Sequence, residues 1–567
     1  MGLFDFSKKY SWYEEYDRLN IPRKIKYPSE SMYKLVEEVA LKYPTNIAYT
    51  YFNNLVTYRK FMENIDLCAK SLTEYGVKKG DIVSIIMPNT PEAITLVYSL
   101  NKIGAIANMI HPLSSSNEIM DMVLESNSKI VLIVDLLWDK IKDKLVKKYQ
   151  GDIVIASVDL SMDKVTTFGY KLTSGRKAPK ITYTERIITW KEFVNIGKRS
   201  DVNVESVGKG KDAAVILHSG GTTGTPKGII LSNLNVNAVA IEETTVCGVI
   251  DTNTTIFAVM PIFHGFGLIT SIHIPFINGA TAIILPQLNP KKFASMVKKY
   301  RPNIIGGVPS LYETFINDRV LRKADLSFIN CAMCGGDYLT SALKAKVDSF
   351  FSSHNCHCKL RAAYGMTECG SGVVMMPNQT DVVDGVGIPV PDCIIKIVEP
   401  NTQIEVPTGS IGEICVHAKS VMMAYLNNPK ETSSMLQTHS DNKLYLHTGD
   451  LGYINERGYV FYTQRLKRMI ISNGYNIYPS QIEKIIERHK DVVTCTVVGV
   501  PHPLKVQVPK AFIVLKENTL VSLKLKNEIK KLCEDNIAHY AIPASFAFKK
   551  SLPTTKMGKV DYQKLEK

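Results

Sequence analysis

The sequence predicts an α/β protein with a large N-terminal lobe of doubly wound sheets and a small α+β unit at the C-terminal end. The chain has 567 residues, which is more than one compact core usually holds. From about residue 30 to residue 340, amphipathic stretches alternate with short apolar runs, as in a parallel sheet covered by helices. Near residue 463 this alternation ends.

Short apolar runs predict the buried strands of the large lobe. These runs are residues 83–87, 130–134, 213–217, 281–285 and 304–308. Asn289 and Pro290 supply an N-cap and a first-turn residue for a helix that ends at Tyr300. Residues 266–285 have about the length of a membrane span, but polar residues and a proline interrupt them, which favours buried core.

The C-terminal part has its own order of predicted elements. A strand at residues 469–472 precedes a helix that begins after Pro479, and strands at 494–500 and 511–515 precede a helix at 523–533. We therefore place domain boundaries at residues 1–463 and 464–567. Residues 136–205 are polar and basic with weak periodicity, so we interpret them as an insertion or surface excursion.

The composition narrows the class of protein. A hydrophobic fraction of 45% and a charged fraction of 22% are those of a soluble globular protein and argue against disorder. The formal net charge of +14 suits a polyanionic ligand or an anionic membrane surface, although a lysine-rich proteome would give the same excess. No dense basic run with interleaved aromatic residues is present, so we expect no nucleic acid partner.

The cysteines indicate a reducing compartment. Eleven of them are scattered along a chain without a secretory leader, which predicts a cytoplasmic protein and leaves peripheral contact with a membrane open. Cys331 and Cys334, followed by His354, Cys356, His357 and Cys358, loosely match the spacing of zinc ligands. The first pair has a better interpretation in a Gly-Gly turn, described below.

A glycine-rich segment after the apolar run 213–217 is the strongest chemical signal. Its glycines allow close backbone approach to phosphate oxygens, its hydroxyls can donate to them, and Lys227 adds a positive charge. The candidate phosphate-binding residues are Ser219, Gly220, Gly221, Thr222, Thr223, Gly224 and Lys227. Pro226 stands where the common P-loop requires glycine, which argues against kinases and GTPases. A polar surface loop is the alternative.

This segment, ending in Pro-Lys-Gly, resembles the signature of the AMP-binding, adenylate-forming superfamily, which contains acyl-CoA synthetases, firefly-type luciferases and nonribosomal-peptide adenylation domains. Further motifs follow in the family's order, from about residue 30 to the C-terminal end. The resemblance implies a small β-barrel-like subdomain beside the sheets and a small, mobile α+β C-terminal domain. It also implies ATP, Mg²⁺ and the co-substrate coenzyme A.

The resemblance assigns roles in the large lobe. His264, in Pro-Ile-Phe-His-Gly-Phe-Gly, would border the acyl pocket, and Gly336 belongs to a Gly-Gly turn on the adenine side. In Tyr-Gly-Met-Thr-Glu, Tyr364 would pack on adenine, Thr367 would contact the α-phosphate and Glu368 would hold Mg²⁺. A flat ring, a hydroxyl and a carboxylate suit these three partners.

The resemblance also assigns roles nearer the C-terminal end. Asp450 would bind the ribose and Arg465 the ribose or a phosphate, while Gly474 would line the pantetheine tunnel. Arg468 occupies the hinge position, where relatives usually carry Asp or Lys, so the energetics of this hinge are open. Lys559, after a Pro-Thr-Thr-Lys-Met-Gly turn, is the expected catalytic lysine, with Thr367 and His264 as further catalytic residues.

These assignments predict an ATP-dependent acyl-CoA synthetase. The enzyme would adenylate a medium- to long-chain fatty acid and then pass the acyl group to coenzyme A. An aryl-CoA ligase, an acyl-carrier-protein ligase and a catalytically silent nucleotide-binding homologue are the alternatives. The partners are a small carboxylic acid, ATP and coenzyme A, and a monomer and a homodimer are both open.

Overall fold

The computed structural model describes residues 10–219, 226–286, 290–472, 475–502, 506–537, 539–554 and 560–566. The chain forms two compact units. The first unit extends to Ile394 and also includes Val416–Leu446 and Arg457–Tyr459. The second unit consists of Ile395–Cys415, His447–Glu456 and the residues from Val460 onward.

The strands are numbered in chain order. The first fourteen are β1 (Ile47–Tyr51), β2 (Asn54–Thr57), β3 (Ile82–Ile86), β4 (Ile106–Met109), β5 (Ile130–Val134), β6 (Asp152–Ala156), β7 (Ile187–Thr189), β8 (Ala213–Ser219), β9 (Lys227–Ser232), β10 (Thr255–Ala258), β11 (Thr281–Ile284), β12 (Ile304–Gly307), β13 (Cys331–Cys334) and β14 (Leu360–Gly365). The others are β15 (Gly372–Met375), β16 (Ile388–Pro389), β17 (Ile394–Val398), β18 (Gly412–His417), β19 (Ala424–Tyr425), β20 (Leu436–Thr438), β21 (Leu444–Ile454), β22 (Val460–Arg465), β23 (Ile470–Ser472), β24 (Tyr475–Ile477), β25 (Val492–His502), β26 (Val506–Leu515) and β27 (Ser545–Lys549).

The helices are numbered in the same way. They are α1 (Trp12–Leu19), α2 (Met32–Lys42), α3 (Tyr58–Glu74), α4 (Pro91–Ile103), α5 (Ser116–Glu125), α6 (Trp138–Lys148), α7 (Lys164–Leu172), α8 (Trp190–Arg199), α9 (Asn233–Cys247), α10 (Ile274–Ile277), α11 (Pro290–Tyr300), α12 (Pro309–Asn317), α13 (Ser341–Ser352), α14 (Pro429–Met435), α15 (Pro479–Ile486), α16 (Leu523–Asn536) and α17 (Gln563–Glu566).

Two large sheets build the first unit. One has the strand order β16-β15-β14-β13-β12-β10-β11-β1-β2, and its strands from β11 to β14 are parallel. The other has the order β19-β9-β8-β4-β3-β5-β6-β7, and it is parallel from β8 to β7. Parallel neighbours need helical crossovers, and these cover the sheets. The α/β fold and the five strands expected in this lobe are confirmed.

Burial explains why the short apolar runs become strands. Every side chain of β5 is buried, as expected for a strand covered on both faces of its sheet. Helices α11, α12 and α13 pack on the nine-stranded sheet around a cluster that includes Phe257, Phe293 and Phe315. The predicted helix that ends at Tyr300 is confirmed as α11, and its expected N-cap Asn289 lies outside the described residues.

The apolar stretch 266–285 is buried core, as expected. It forms a π-helix at Phe266–His273, then α10 and β11. Burial lowers the pKa of His273 to about 3, and the ring lies between Tyr98 and Asn237 at 3.0 and 2.9 Å. In the part of the chain that the structure describes, no helix is long and apolar enough to cross a membrane.

The second unit holds the small α+β elements predicted for the C-terminal part. Strands β23 to β27 form a sheet in the order β24-β23-β26-β25, with β27 beside β26. Helices α15 and α16 bury Ile482, Ile486 and Ile529 in a cluster with this sheet. The hairpin of β21 and β22 also contributes to the second unit. The boundary between residues 463 and 464 stays a prediction.

Residues 136–205 are more regular than the sequence indicated. The segment contains α6, α7 and α8, and β6 and β7 extend the eight-stranded sheet at its edge. The expectation of a surface excursion is wrong for β6 and β7, because both strands belong to the sheet. They were missed because their apolar runs are too short to show a clear periodicity in the sequence. The expectation holds for α7, which has no buried side chain.

Candidate active site

The glycine-rich segment closes a hairpin between two strands of the eight-stranded sheet. Ser219, the last residue of β8, is the register partner of Lys227, the first residue of β9. The ends of the segment are therefore fixed by antiparallel pairing, whereas a P-loop runs from a strand into a helix. The predicted phosphate-binding residues between them lie outside the described residues: Gly220, Gly221, Thr222, Thr223 and Gly224.

Lys227 begins a chain of contacts that reaches the predicted metal ligand. Its ammonium group forms an ion pair with Glu431 and lies 5.2 Å from the centroid of the Tyr425 ring. Tyr425 donates a hydrogen bond from its hydroxyl to Glu368 Oε1 at 2.8 Å. Tyr425 is held here because β19 pairs with β9, where Tyr425 is the register partner of Ile229. The structure thus brings Lys227 and Glu368 into one cluster.

Glu368 is buried at the end of a parallel strand. It follows β14 in a single 3₁₀ turn that begins at Thr367, and its backbone carbonyl accepts a hydrogen bond from Met422 N–H at 2.8 Å. Tyr364 lies in β14 itself, buried and opposite Val374 of β15. The carboxyl ends of parallel strands are where open α/β sheets bind ligands.

The same edge of the sheet holds the Gly-Gly turn. Gly336 follows β13 and has a φ of +78°, a left-handed conformation that favours glycine. The Phe266 ring lies next to this edge, since a Cβ atom at Gly306 would stand 3.1 Å from it and one at Gly335 3.9 Å. A Cβ at Gly265 would overlap the carbonyl of Gly370. The His-Gly-Phe-Gly segment therefore packs against the strand ends that carry the Gly-Gly turn.

His264 lies beside two aromatic rings, Phe263 of its own motif and His111, which sequence reasoning missed. Its ring is partly buried, 5.0 Å from that of Phe263 and 6.2 Å from that of His111. Burial, together with the charge of His264, lowers the pKa of His218 to about 4. His218 Nε2 lies 2.7 Å from Asn108 Oδ1. The signal in the sequence was a histidine between the apolar run 213–217 and Ser219.

In the second unit, Asp450 and Arg465 form an ion pair. They are register partners in β21 and β22, and Arg465 Nε lies 3.0 Å from Asp450 Oδ1. The Asp450 side chain is buried, whereas that of Arg465 is about half exposed. Thr448 donates to the Ile414 carbonyl at 2.7 Å and accepts from Asp450 N–H at 3.1 Å, which fixes the part of β21 that carries Asp450.

Glu413 supports the same part of β21. Its carboxylate accepts a hydrogen bond from Gly449 N–H at 3.0 Å and lies 3.2 Å from His447 Nδ1. The Gly-Glu-Ile and His-Thr-Gly-Asp motifs, which are more than thirty residues apart in the sequence, therefore meet at one buried carboxylate. Sequence reasoning gave Glu413 no role.

Arg468, at the expected hinge, is bound to the small α+β elements. Its guanidinium forms an ion pair with Glu483 of α15, donates to the Val497 carbonyl at 3.4 Å, and lies 4.2 Å from the centroid of the Tyr562 ring. Burial raises the pKa of Glu483, and the charge of Arg468 opposes this shift. Gln464 accepts a hydrogen bond from Ser480 N–H at 3.1 Å.

Gln464 and Arg468, the latter at the expected hinge position, both bind α15. Gly474 and Lys559 lie outside the described residues, so their roles remain expectations.

The cysteines considered as zinc ligands form separate thiol pairs, because Cys331 contacts Cys247 at 3.6 Å and Cys356 contacts Cys358 at 3.3 Å.

The residues of the first unit fit a magnesium–polyphosphate ligand. Glu368 offers a buried carboxylate oriented by Tyr425, and carboxylate oxygen is a usual ligand of Mg²⁺. Lys227 offers a positive charge on the neighbouring hairpin. In the structure, the carboxylate of Glu431 forms an ion pair with Lys227, and an anionic phosphate could replace this carboxylate.

Comparisons with known proteins agree with these features. Residues 36–426 match the family model of AMP-binding enzymes, and residues 481–559 match that of the AMP-binding enzyme C-terminal domain. A long-chain-fatty-acid–CoA ligase of Bacillus subtilis is 26% identical over 97% of this chain and 96% of its own length. A probable 4-coumarate–CoA ligase of Dictyostelium discoideum is 26% identical over 88% and 87%, respectively.

A solved structure has the same fold. The crystal structure of ATP-bound MatB from Rhodopseudomonas palustris matches with a TM-score of 0.79 and 23% identity, and the match covers 94% of this chain and 98% of that one. The family model spans well over half of the sequence. The chain therefore belongs to the AMP-binding enzyme family.

Proposed function

We propose that this protein adenylates a medium- to long-chain fatty acid with ATP, releasing pyrophosphate, and then transfers the acyl group to coenzyme A, releasing AMP. Its family and its CoA-ligase relatives support the general class: the chain is an AMP-forming acid–thiol ligase. The observation that carries the proposal is the contact chain from Lys227 through Tyr425 to Glu368, at the base of the glycine-rich hairpin.

In the first half-reaction, a carboxylate attacks the α-phosphorus of ATP, and the bond to pyrophosphate breaks. Two anions must approach each other, so the site has to supply positive charge and hydrogen-bond donors where charge accumulates. We assign Lys227 to the polyphosphate, Thr367 to the α-phosphate and Lys559 to the carboxylate and α-phosphate. Mg²⁺ held by Glu368 would add charge compensation on the polyphosphate.

In the second half-reaction, the coenzyme A thiol attacks the acyl carbon of the adenylate, and AMP leaves. This mixed anhydride is already reactive, so the protein mainly has to deliver the thiol and exclude water. We propose that the part of the chain after Arg468 rotates between the two half-reactions, removing Lys559 and bringing in Gly474. Arg468 would move with this part, because it binds Glu483 and Tyr562.

The fatty-acid substrate is supported by a relative that matches over nearly all of both chains, the long-chain-fatty-acid–CoA ligase of Bacillus subtilis. An aryl acid is the second candidate, because the 4-coumarate–CoA ligase relative is equally identical. We also propose a cytoplasmic enzyme that contacts membranes peripherally. All eleven cysteines are thiols in the structure, which suits a reducing compartment.

A panel of acids tests the substrate class. The purified protein would be incubated with ATP, Mg²⁺, coenzyme A and either saturated fatty acids of graded length, 4-coumarate or benzoate, and the thioester products would be separated by chromatography. We expect the highest kcat/KM for a fatty acid of medium or long chain. Higher kcat/KM for the aromatic acids would replace this proposal by the aryl-CoA ligase, and AMP formation without any thioester would contradict both.

A further inference from the structure

Helix α7 exposes an apolar face that no other part of the described chain covers. None of its side chains is buried. Val165 is 81% exposed, Phe168 66% and Leu172 47%. Single exposed apolar residues are common on protein surfaces, but three large ones on one short helix need an explanation.

The three side chains lie on the same side of the helix. Their spacing of three and four residues places them on one face, because a helical turn has 3.6 residues. Thr167 and Tyr170 lie on the other side and face the protein. Thr167 contacts the Met162 carbonyl at 3.4 Å, and the hydroxyl oxygen of Tyr170 is buried. The fold therefore fixes which face of α7 is turned outward.

Basic residues border this face. Lys164 and Lys171 are exposed on α7, and Arg176 and Lys180 are exposed just after it. Residues 164–184 contain five Lys or Arg and no Asp or Glu. Lys171 has Asp159 at 4.0 Å, a contact that leaves its side chain 69% exposed. We call α7 together with residues 173–180 the α7 surface.

We propose that the α7 surface binds the headgroup region of an anionic lipid bilayer. Phe168, Val165 and Leu172 would enter the boundary between headgroups and acyl chains, and Lys164 and Lys171 would stay at the level of the phosphates. An apolar stripe flanked by lysines on an exposed helix is the usual form of an interfacial membrane-binding element. The positive charge of this surface decides in favour of an anionic bilayer over an uncharged apolar partner.

The surface is small, so the expected binding is reversible and dependent on salt. A helix of nine residues inserts far less apolar area than a membrane span, and the basic residues act only within about a Debye length. The inference identifies the surface behind the peripheral membrane contact proposed above. This inference rests on the proposed function, because a fatty-acid substrate partitions into bilayers. The test of membrane binding is nevertheless independent of catalysis.

Vesicle flotation with the full-length protein tests the inference. The vesicles would consist of phosphatidylcholine alone or of phosphatidylcholine with phosphatidylglycerol in equal parts, at low and physiological salt. We expect binding to the anionic vesicles and little binding to the neutral ones. The triple variant Val165→Ser/Phe168→Ser/Leu172→Ser should lower the partition coefficient by about tenfold, and Lys164→Glu/Lys171→Glu by about as much.

Matched controls alter the same chemistry elsewhere. Leu41→Ser removes an exposed leucine, 76% exposed on α2, and Lys346→Glu/Lys530→Glu makes the same change in net charge on α13 and α16. Both controls should keep wild-type partition coefficients. All variants should form thioester at the wild-type rate from a water-soluble acid without vesicles, which separates lost membrane binding from lost folding or activity.

Three outcomes would overturn the inference. The first is equal binding of the wild-type protein and the triple variant to anionic vesicles. The second is no binding of the wild-type protein to these vesicles at low salt. The third is sedimentation showing that the wild-type protein is a dimer and the triple variant a monomer, which would assign the α7 surface to a second copy of the chain. Failure of the fatty-acid proposal would leave all three readouts unchanged.

Discussion

Tyr425 donates a hydrogen bond to the buried carboxylate of Glu368, at 2.8 Å from Oε1, and its ring faces the ammonium group of Lys227. Burial raises the pKa of Tyr425, and the nearby Glu368 raises it further, so this phenol stays protonated and remains a donor. One side chain thus connects the strand-end carboxylate with the glycine-rich hairpin. Neither Tyr425 nor Glu431, the ion-pair partner of Lys227, was identified from the sequence.

Removal of the Tyr425 hydroxyl should slow adenylation. Hydrogen bonds to charged groups contribute about 1.5–3 kcal/mol, so Tyr425→Phe should lower kcat/KM for acid-dependent pyrophosphate exchange by about tenfold or more. Tyr33→Phe is the control, because it removes a similar phenol–carboxylate bond, to Glu37 of α2, at 2.8 Å. Equal rates for Tyr425→Phe and the wild-type protein would show that the Tyr425–Glu368 bond does not prepare Glu368 for its role.

Neutralisation of Glu431 should strengthen ATP binding. Glu431 holds Lys227 in an ion pair, and both side chains are partly exposed, at 36% and 27%. Such a pair contributes no more than about 1 kcal/mol, and the polyphosphate has to displace it. We expect Glu431→Gln to lower the Kd of ATP by about two- to fivefold, measured by calorimetry. A higher Kd would mean that Glu431 positions Lys227 for the phosphates and does not compete with them.

Replacement of Glu242 should change how stability depends on pH. Burial raises the pKa of Glu242 from 4.5 to about 8; Tyr27 donates to Oε1 at 2.7 Å, and Oε2 has no hydrogen-bond partner among the described residues. The folded protein therefore binds a proton that the unfolded chain loses above pH 4.5. Its free energy of unfolding should fall between pH 4.5 and 8.

The substitution Glu242→Gln replaces the carboxyl group by an amide that does not titrate, so it removes this dependence of stability on pH. The Tm of Glu242→Gln minus that of the wild-type protein should increase as the pH rises from 5.5 to 8.5, measured by calorimetry. The exposed Glu38 of α2 provides the control, because Glu38→Gln should give a constant difference. A constant difference for Glu242→Gln as well would mean that Glu242 is ionised in the folded protein.

Loss of the Arg468 side chain should destabilise the second unit. Arg468→Met leaves Glu483 without its cation, at a side-chain exposure of only 15%, and breaking one partner of a buried pair costs about 3–5 kcal/mol. We expect a lower unfolding temperature and faster proteolysis within residues 464–567. The double variant Arg468→Met/Glu483→Gln should recover part of the loss, and additive effects of the two substitutions would contradict coupling between the side chains.

The fold was largely predictable because apolar runs report buried strands directly. β5 and α11 match their predicted ends at every described residue, since the first is wholly apolar and the second begins at a proline. β6 and β7 were missed because their apolar runs are short and lie within a stretch that is otherwise polar and basic.

The site was predictable where a motif is local and not where partners are distant. Asp450 and Arg465 were found separately, but their ion pair depends on the register of β21 and β22. Glu431 is 204 residues from Lys227, and only the pairing of β19 with β9 brings them together. Arg468 was noted as a departure from the family, and its partner Glu483 became evident only from the packing of α15.

Exchange of labelled pyrophosphate into ATP, without coenzyme A and with a fatty acid present, tests the central claim most directly. The claim is that the protein joins a carboxylate to AMP. We predict acid-dependent exchange by the wild-type protein, loss of this exchange in Lys559→Ala, and retained thioester formation by Lys559→Ala from a supplied acyl-adenylate. Absence of exchange with every acid tested would contradict the claim.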